Sequence, residues 1–292
     1  MKDGINVLSL FDGISCGQVA FQRAGIKVNK YFASEVDKYT IQVTQEHFPN
    51  TIQLGDVRNW RDWNIQWDQI DIVTGGSPCQ GFSSSGLGLD FQDPKSKLFF
   101  EFLDILNHVK KYNPNVYFLL ENVKMKKIVE EKISELLGVN PIIINSKLVS
   151  AQSRTRLYWT NIPNVTLPED RGIVLQSILD SGVTMQEKSY CIDASYEKRN
   201  ATPYSFILKS RGSLVFDSFE NLNLFKTYNK EQLLSKEVIS NPCYRKFNRT
   251  ELERLQTLPE GYTKNMTYPR AAFAIGNGWT VDVITHIFKH IP

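Results

Sequence analysis

The stretch Ile5-Asn6-Val7-Leu8-Ser9-Leu10-Phe11-Asp12-Gly13-Ile14-Ser15-Cys16-Gly17 decides the fold class. An apolar run over Ile5 to Phe11 reads as a strand, glycines punctuate a turn, and an amphipathic segment from Gln18 to Ala24 reads as a helix. The same alternation recurs downstream. Apolar runs over Val28 to Val36, Ile52 to Val57, Ile70 to Gly75, Val116 to Glu121, Pro141 to Val149 and Arg156 to Asn161 predict strands. Helical patterns cover Lys38 to His47, Lys95 to Tyr112 and Lys124 to Leu137. Leu98, Phe99, Phe102, Leu103, Ile105, Leu106 and Val109 give the third of these a wide apolar face. Strands and helices in strict alternation predict an α/β fold, a mostly parallel sheet covered on both sides.

At 292 residues the chain has room for two domains, or for one large α/β domain with an insertion. A hydrophobic share of 41% with 22% charged residues excludes wholesale disorder. The formal net charge is only +3, so a polyanionic partner would have to meet a local basic face. The N-terminus shows no signal-peptide pattern and no apolar stretch approaches a membrane span, which predicts a soluble, cytoplasmic protein without a membrane partner. Cys16, Cys79, Cys191 and Cys243 lie far apart without ligand spacing, so no metal is expected. Cys191 and Cys243 read as small buried apolar residues.

After Pro163 the texture changes. Asn164 to Tyr244 is rich in Ser, Asn, Tyr and Lys, with short apolar strings at Ser205 to Leu208 and Ser213 to Phe216, and reads as loops and short strands. Thr250 to Leu258 looks like a short helix, and Val281 to Ile291 places five apolar side chains on one helical face that needs a core to cover. The expected division is a catalytic domain at 1–163 and 265–292 and a small recognition domain at 164–264.

Groups suited to chemistry gather where strands end. In parallel sheets ligands bind at the carboxyl edge, and a glycine turn between strand and helix lets backbone approach them. The turn Phe11 to Gly17 lacks the G-x-G-x-x-G spacing and no Walker lysine follows, which weakens dinucleotide and nucleotide-phosphate readings. Glu35 follows the second strand, where a carboxylate suits ribose hydroxyls, and Asp56-Val57 follows the third, where a carboxylate suits an exocyclic amine. The fourth delivers Gly75-Gly76-Ser77-Pro78-Cys79-Gln80-Gly81-Phe82-Ser83, a cysteine on a constrained loop whose backbone N–H groups favour the thiolate. The fifth ends in Glu121-Asn122-Val123, where a carboxyl set against Phe118 to Leu120 would be raised and able to donate a proton. Gln152-Ser153-Arg154-Thr155-Arg156 puts two guanidiniums on one face of an extended segment.

In this order the series resembles the cytosine-C5 DNA methyltransferases, joined by Arg254-Leu255-Gln256 and Gly276-Asn277-Gly278-Trp279. The likeness covers nearly all the chain outside Pro163 to Tyr244. Leu98-Phe99-Phe100-Glu101-Phe102 and Gly278-Trp279 resemble the Dnmt3 branch, whereas Gln80 and the full Gln-x-Arg-x-Arg resemble bacterial and phage members. The resemblance implies a Rossmann-like S-adenosylmethionine-dependent methyltransferase fold with a small target-recognition domain, and S-adenosyl-L-homocysteine as product. It assigns the donor to Phe11, Asp12, Gly13, Ile14, Ser15, Cys16 and Gly17, to Glu35 and Val36, to Asp56, Val57 and Arg58, and to Pro78, Leu98, Asn277, Gly278 and Trp279. Cys79 would attack C6 of a flipped cytosine, Glu121 would bond its N3 edge, and Arg154, supported by Arg156, would hold the ring near its carbonyl. Gln80, Ser83, Ser84, Ser85, Lys209, Arg211 and Arg245 are the expected contacts to double-stranded DNA, beside Lys198, Arg199, Lys246 and Arg249, and residues 81–91 form the expected closing loop. A restriction endonuclease in the same bacterial or phage-infected cell is the partner that the resemblance implies.

Other readings differ at identifiable residues. A cytosine-C5 tRNA methyltransferase would carry a Cys-Phe-Thr tripeptide, absent here. A catalytically dead DNA-binding homologue would lose Cys79, Glu121 or Arg154, all present. A nicotinamide oxidoreductase fails on the missing glycine fingerprint.

Overall fold

The computed structural model describes residues 4–77, 96–197, 202–209, 213–240 and 243–292. They form two compact units, Met1–Ile144 with Thr155–Leu167 and Val283–Pro292, and Asn145–Arg154 with Pro168–Asp282. These bounds differ from the division by role expected above: 145–154 and 265–282 pack with the second unit.

The first unit is built on β1 (Ile5–Leu10), β2 (Val28–Ser34), β3 (Ile52–Gln53), β4 (Ile72–Gly75), β5 (Tyr117–Val123), β6 (Ile142–Asn145) and β7 (Thr155–Thr160). They make one seven-stranded sheet in the order β3-β2-β1-β4-β5-β7-β6. Pairs from β3 through β5 are parallel and β7 runs antiparallel to β5. The helices are α1 (Cys16–Ala24), α2 (Lys38–His47), α3 (Ser96–Tyr112) and α4 (Lys127–Leu137). The alternating pattern is thus realised as the expected α/β sheet. The order turns at β1 and β4, where β2 and β3 lie to one side and β5 to the other.

Packing explains the strand assignments. Leu8, Leu10, Val73, Phe118, Leu120, Leu157 and Trp159 bury one sheet face against Phe99, Phe102, Ile105 and Leu106 of α3. On α1, Phe21 stacks on Phe288 with ring centroids 4.0 Å apart. Gly75 is required by close approach: a Cβ there would meet the Phe102 ring at 3.0 Å and the Leu10 carbonyl at 3.1 Å. The predicted third strand is shorter than expected. Beyond Gln53 the backbone turns, and Asp56 caps a 3-10 segment, Val57–Asp62, by accepting from the Arg58 N–H. That competing local bond ends the strand.

The second unit corrects the expectation of loops and short strands over 164–244 and bears out the short helix expected at 250–258. It holds α5 (Pro203–Ile207), β8 (Val215–Phe216), α6 (Phe219–Thr227), α7 (Lys230–Leu233), α8 (Lys236–Ile239), β9 (Tyr244–Arg245), α9 (Arg249–Leu255) and α10 (Tyr268–Asn277), and the chain then enters α11 (Val281–Phe288). The polar residues that suggested loops are helix caps. Thr202 and Ser205 form a capping box, as do Asn229 with Gln232 and Asn248 with Glu251, while Ser218 and Ser235 cap α6 and α8. Phe206, Phe216, Leu222, Phe225, Leu233 and Val238 close a small core beneath them. Cys191 and Cys243 are half-buried, not the buried residues expected. Among the described residues no helix is long and apolar enough to cross a membrane.

Phe102 has no exposed surface and fills the space that Gly75 leaves. Phe102→Ala should therefore cost about 3–5 kcal/mol, read as a lowered urea midpoint with an unchanged slope.

Candidate active site

Sheet register brings the predicted residues to one edge. Leu10 pairs with Ser34 on one side and Gly75 on the other, and Gly75 pairs with Leu120. One step beyond that row stand Glu35, Phe11, Gly76 and Glu121, each following its strand's paired row at the carboxyl edge. A one-residue slip in any strand would turn its functional group to the other face.

The turn after β1 is strained and tightly held. Phe11, Gly13 and Ser15 all have positive φ, at 58°, 57° and 55°. For the two non-glycines that is a sparsely populated region costing on the order of 1–3 kcal/mol each, tolerated where surroundings fix it. The Asp12 carboxylate accepts from Ser9 Oγ at 2.6 Å, from Tyr31 OH at 2.7 Å and from Ser15 Oγ. Ser15 Oγ also lies 2.9 Å from Thr44 Oγ1 of α2. Glu35 ties the turn from the other side: its carboxylate accepts from the Gly13 N–H at 2.8 Å, and from the Val36 and Asp37 N–H groups at 2.7 and 2.9 Å. Ile14, Ser15, Cys16 and Gly17 are buried, so backbone is what this turn offers a ligand. Phe11 is half-buried against the core.

Other candidates stand differently. Val36 is 69% exposed, and the Val57 side chain belongs to the core. The Asp56 carboxylate, expected to await an amine, is forked by the exposed Arg58 guanidinium, which holds its pKa below the usual carboxylate value. Leu98 lies half-buried on α3. Pro78, Cys79, Gln80, Ser83, Ser84, Ser85, Lys198, Arg199, Arg211 and the loop at 81–91 fall outside the described residues. The described chain stops at Ser77, buried and gripped by Asn122: the amide Nδ2 donates to the Ser77 carbonyl at 3.2 Å and approaches its Oγ at 3.4 Å.

Glu121 is not set in apolar surroundings, as expected from Phe118 to Leu120. Those residues alternate, and Phe118 and Leu120 turn into the core. Its direct partner on β7 is Tyr158, and Arg156, two residues away, shares the same face. Arg156 Nε lies 3.0 Å from Glu121 Oε1, with both side chains nearly buried. Arg154 has other partners. It precedes β7, is 4% exposed, and its guanidinium donates to the carbonyls of Ile192 (2.6 Å), Gly276 (3.2 Å) and Gly278 (3.1 Å). The expected pair of arginines acting on one group is therefore not what is seen.

A buried polar network in the second unit accounts for two motifs. Gln152 receives the Ile192 N–H at 2.8 Å and donates to the Leu255 carbonyl at 3.1 Å. Gln256 donates to the carbonyls of Ile275 and Gly278, both at 3.0 Å, and accepts from Thr280 Oγ1. Gly276 must lack a side chain, since a Cβ would sit 2.3 Å from the Asp193 carbonyl carbon. Beyond it Asn277 is exposed, and Gly278 and Trp279 are half-buried.

The expected basic surface is partly internal. Arg245 makes a bidentate pair with Glu251, itself without exposed surface, at 2.7 and 2.8 Å, and donates to the Ser181 carbonyl. Lys246 reaches the Glu197 carbonyl and Arg249 the carbonyls of Lys264 and Met266. Lys209 stays exposed, 5.9 Å from the Tyr204 ring centroid. Missed by sequence reasoning were Tyr31, Ser9 and the Asn122–Ser77 contact. The period of two, which puts Ser9 and Tyr31 on one face, was their available signal.

Two outcomes follow from this geometry. Arg245→Ala leaves Glu251 buried without its cation and should cost about 3 kcal/mol, seen as a lowered melting temperature. Burial pushes the Asp12 carboxyl from 3.8 up to about 6, with Ser15, Ser9 and Tyr31 hydroxyls opposing and Glu35 adding to the rise. The folded protein then holds this proton more tightly than the unfolded chain. The associated stability is complete below the unfolded value and is lost as pH rises through about 6. The melting temperature of the native protein minus that of Asp12→Asn should fall between pH 4 and 7, and a flat difference would refute the assignment.

Known proteins match throughout. The type II methyltransferase M.NlaX of Neisseria lactamica is 28% identical over 310 residues, 98% of this chain and 95% of that protein. The orphan methyltransferase M.Rho11sI of Bacillus phage rho11s is 30% identical over 183 residues, so that the match spans 58% of this chain but about a third (35%) of the phage protein. Among solved structures, a Spodoptera frugiperda DNMT2 variant superposes with a TM-score of 0.69 at 21% identity, covering 98% of this chain and 99% of the other, which shows a shared fold. A family model described as C-5 cytosine-specific DNA methylase matches residues 5–292, and on that span the chain belongs to this family.

Proposed function

We propose that the protein transfers a methyl group from S-adenosyl-L-methionine to C5 of a cytosine flipped out of double-stranded DNA, releasing S-adenosyl-L-homocysteine. The observation that carries the reading is the register row that aligns the strained turn at 11–15, Glu35, Gly76 with Ser77, and Glu121 along one sheet edge. Membership of the family supplies the reaction class.

The residues present fit the donor. A carboxylate has about four acceptor sites. Three backbone N–H groups engage Glu35, which leaves capacity for a ribose hydroxyl. Phe11 offers a partly exposed ring for the adenine. An adenine amine at Asp56 would displace Arg58, whose exposed guanidinium costs little to move. Asn277, Gly278 and Trp279 complete the proposed donor set, and the bound donor supplies an activated methyl group.

The protein's own steps follow from its side chains. The Cys79 thiolate attacks C6 and its electron pair forms the S–C6 bond, while the C5=C6 π pair is displaced through the ring toward N3. Glu121 holds a proton at the N3 edge, so the displaced pair returns to C5 and takes up the methyl group. Arg156, 3.0 Å from Glu121, orients that carboxyl and is the guanidinium we assign to the ring carbonyl. Arg154 then acts at one remove, through the backbone at 276–278. A base, such as water, removes the C5 proton, the Cys79–C6 bond breaks, and the thiolate is restored. Ser77, fixed by Asn122, anchors the strand end from which Cys79 departs.

Residues 164–264 are proposed to read the target, with Lys209, Arg211, Gln80, Ser83, Ser84 and Ser85 among the DNA contacts. Relatives named both type II and orphan methyltransferases fit action on DNA in a bacterial or phage-infected cell, with or without a cognate endonuclease.

Bisulfite sequencing of host DNA after expression should show methylation at one short site, and purified protein should label duplex DNA but not tRNA. Labelling of tRNA alone would reverse the substrate assignment. Cys79→Ala should abolish transfer yet retain donor binding. Glu121→Gln, which keeps the shape and loses the proton, should slow trapping of 5-fluorocytosine DNA by about a hundredfold to ten-thousandfold. Normal turnover in either variant would remove that residue from the mechanism.

A further inference from the structure

The side chain of Asp12 poses a question that the proposed chemistry does not use. It sits in the turn assigned to the donor, yet its carboxylate points inward, to hydroxyls on three different elements. Ser9 belongs to β1, Ser15 immediately precedes α1, and Tyr31 lies on β2. Ser9 and Tyr31 share a sheet face because Val7 pairs with Tyr31 and Ser9 lies two residues on. Tyr31 is 3% exposed and Ser9 2%. The turn so held contains Phe11 and Ser15 in the left-handed region, a conformation that its own backbone would abandon without fixed partners.

We propose that Asp12 and Tyr31 are positioning residues for the methyl donor, locking the 11–15 turn in the shape that presents its backbone and Glu35 to the donor. The inference rests on the functional reading above and deepens it at the donor site. Tyr31 is the informative member, because its hydroxyl crosses from a neighbouring strand and it belongs to none of the motifs. An ionised Asp12 accepts three O–H donors at once. The groups facing it are Ser9 from β1, Ser15 before α1, Tyr31 from β2 and the Glu35 carboxylate after β2, with Thr44 of α2 behind Ser15. Removing the Tyr31 hydroxyl deletes one of the three ties that hold the turn.

The test uses the full chain, with Tyr31→Phe and Ser9→Ala as separate variants and S-adenosyl-L-homocysteine as probe in calorimetry. A hydrogen bond to a charged group is worth about a tenfold change in affinity. We expect Tyr31→Phe to weaken the probe by about that factor and to raise KM for the donor. The rate at saturating donor and KM for DNA should stay within about twofold, since chemistry lies at Cys79 and Glu121. Ser9→Ala should move the same parameters in the same direction. Unchanged probe affinity in both variants, with native-like binding by the parent, overturns the positioning role and leaves the functional reading standing. A lowered melting temperature with unaltered affinity does the same. A parent protein that binds no probe at all overturns both.

Discussion

Hydrogen-bond register across β2, β1, β4 and β5 is the constraint on which the site depends. The row Ser34, Leu10, Gly75, Leu120 is fixed by parallel pairing and by the core that Leu10 and Leu120 enter. Because side chains alternate, burying those leucines on one face also decides where the following residues stand. Gly75 lets α3 approach closely enough for Phe102 to seal that row. Packing in the core and placement of Glu35, Phe11, Gly76 and Glu121 are therefore one problem, solved by the same contacts.

Polar groups do different work in the two units. Along the sheet edge, Glu35 and Asp12 are spent on holding a strained turn, and Glu121 is turned toward Arg156. In the second unit buried polar residues work beside a small apolar core. Arg154 and Gln256 donate to the carbonyls at 192 and 278, and Gln152 accepts from the Ile192 N–H. Buried carbonyls left without donors would be costly, so these side chains serve as backbone substitutes. Glu251 and Glu253 act likewise on α9, the latter accepting from the N–H groups of Gly261 and Thr263 at 2.7 Å.

Legibility in the sequence followed the physics of each region. Buried parallel strands read as apolar runs, so β1, β4 and β5 and the helix α3 stand near their expected places. Motif residues at strand ends were legible for the same reason. The stretch 164–244 was misread because its helices are four to nine residues long and begin on Ser, Thr or Asn, residues that signal loops unless recognised as caps. The partners of Arg154 and Arg245 were not legible for a different reason. Nothing in spacing tells a guanidinium facing a phosphate from one facing a carbonyl or a buried Glu251. Tyr31 was overlooked as one more strand aromatic, since its hydroxyl finds Asp12 only once β1 and β2 are paired.

The interleaving of the two units bears on how the chain acquires its structure. It passes between them at 144/145, 154/155, 167/168 and 282/283. The second unit joins Ser146 to Thr280 and Arg154 to Gly278, and the first stacks Phe21 on Phe288. Such separations make loop closure expensive early and reward it late, which slows folding. During synthesis neither unit can finish until its last segment leaves the ribosome, so the Phe21 face of α1 waits without Phe288 to cover it. A helper that shields that surface, or a slow translation rate, would matter more for this architecture than for one whose domains close in order of synthesis.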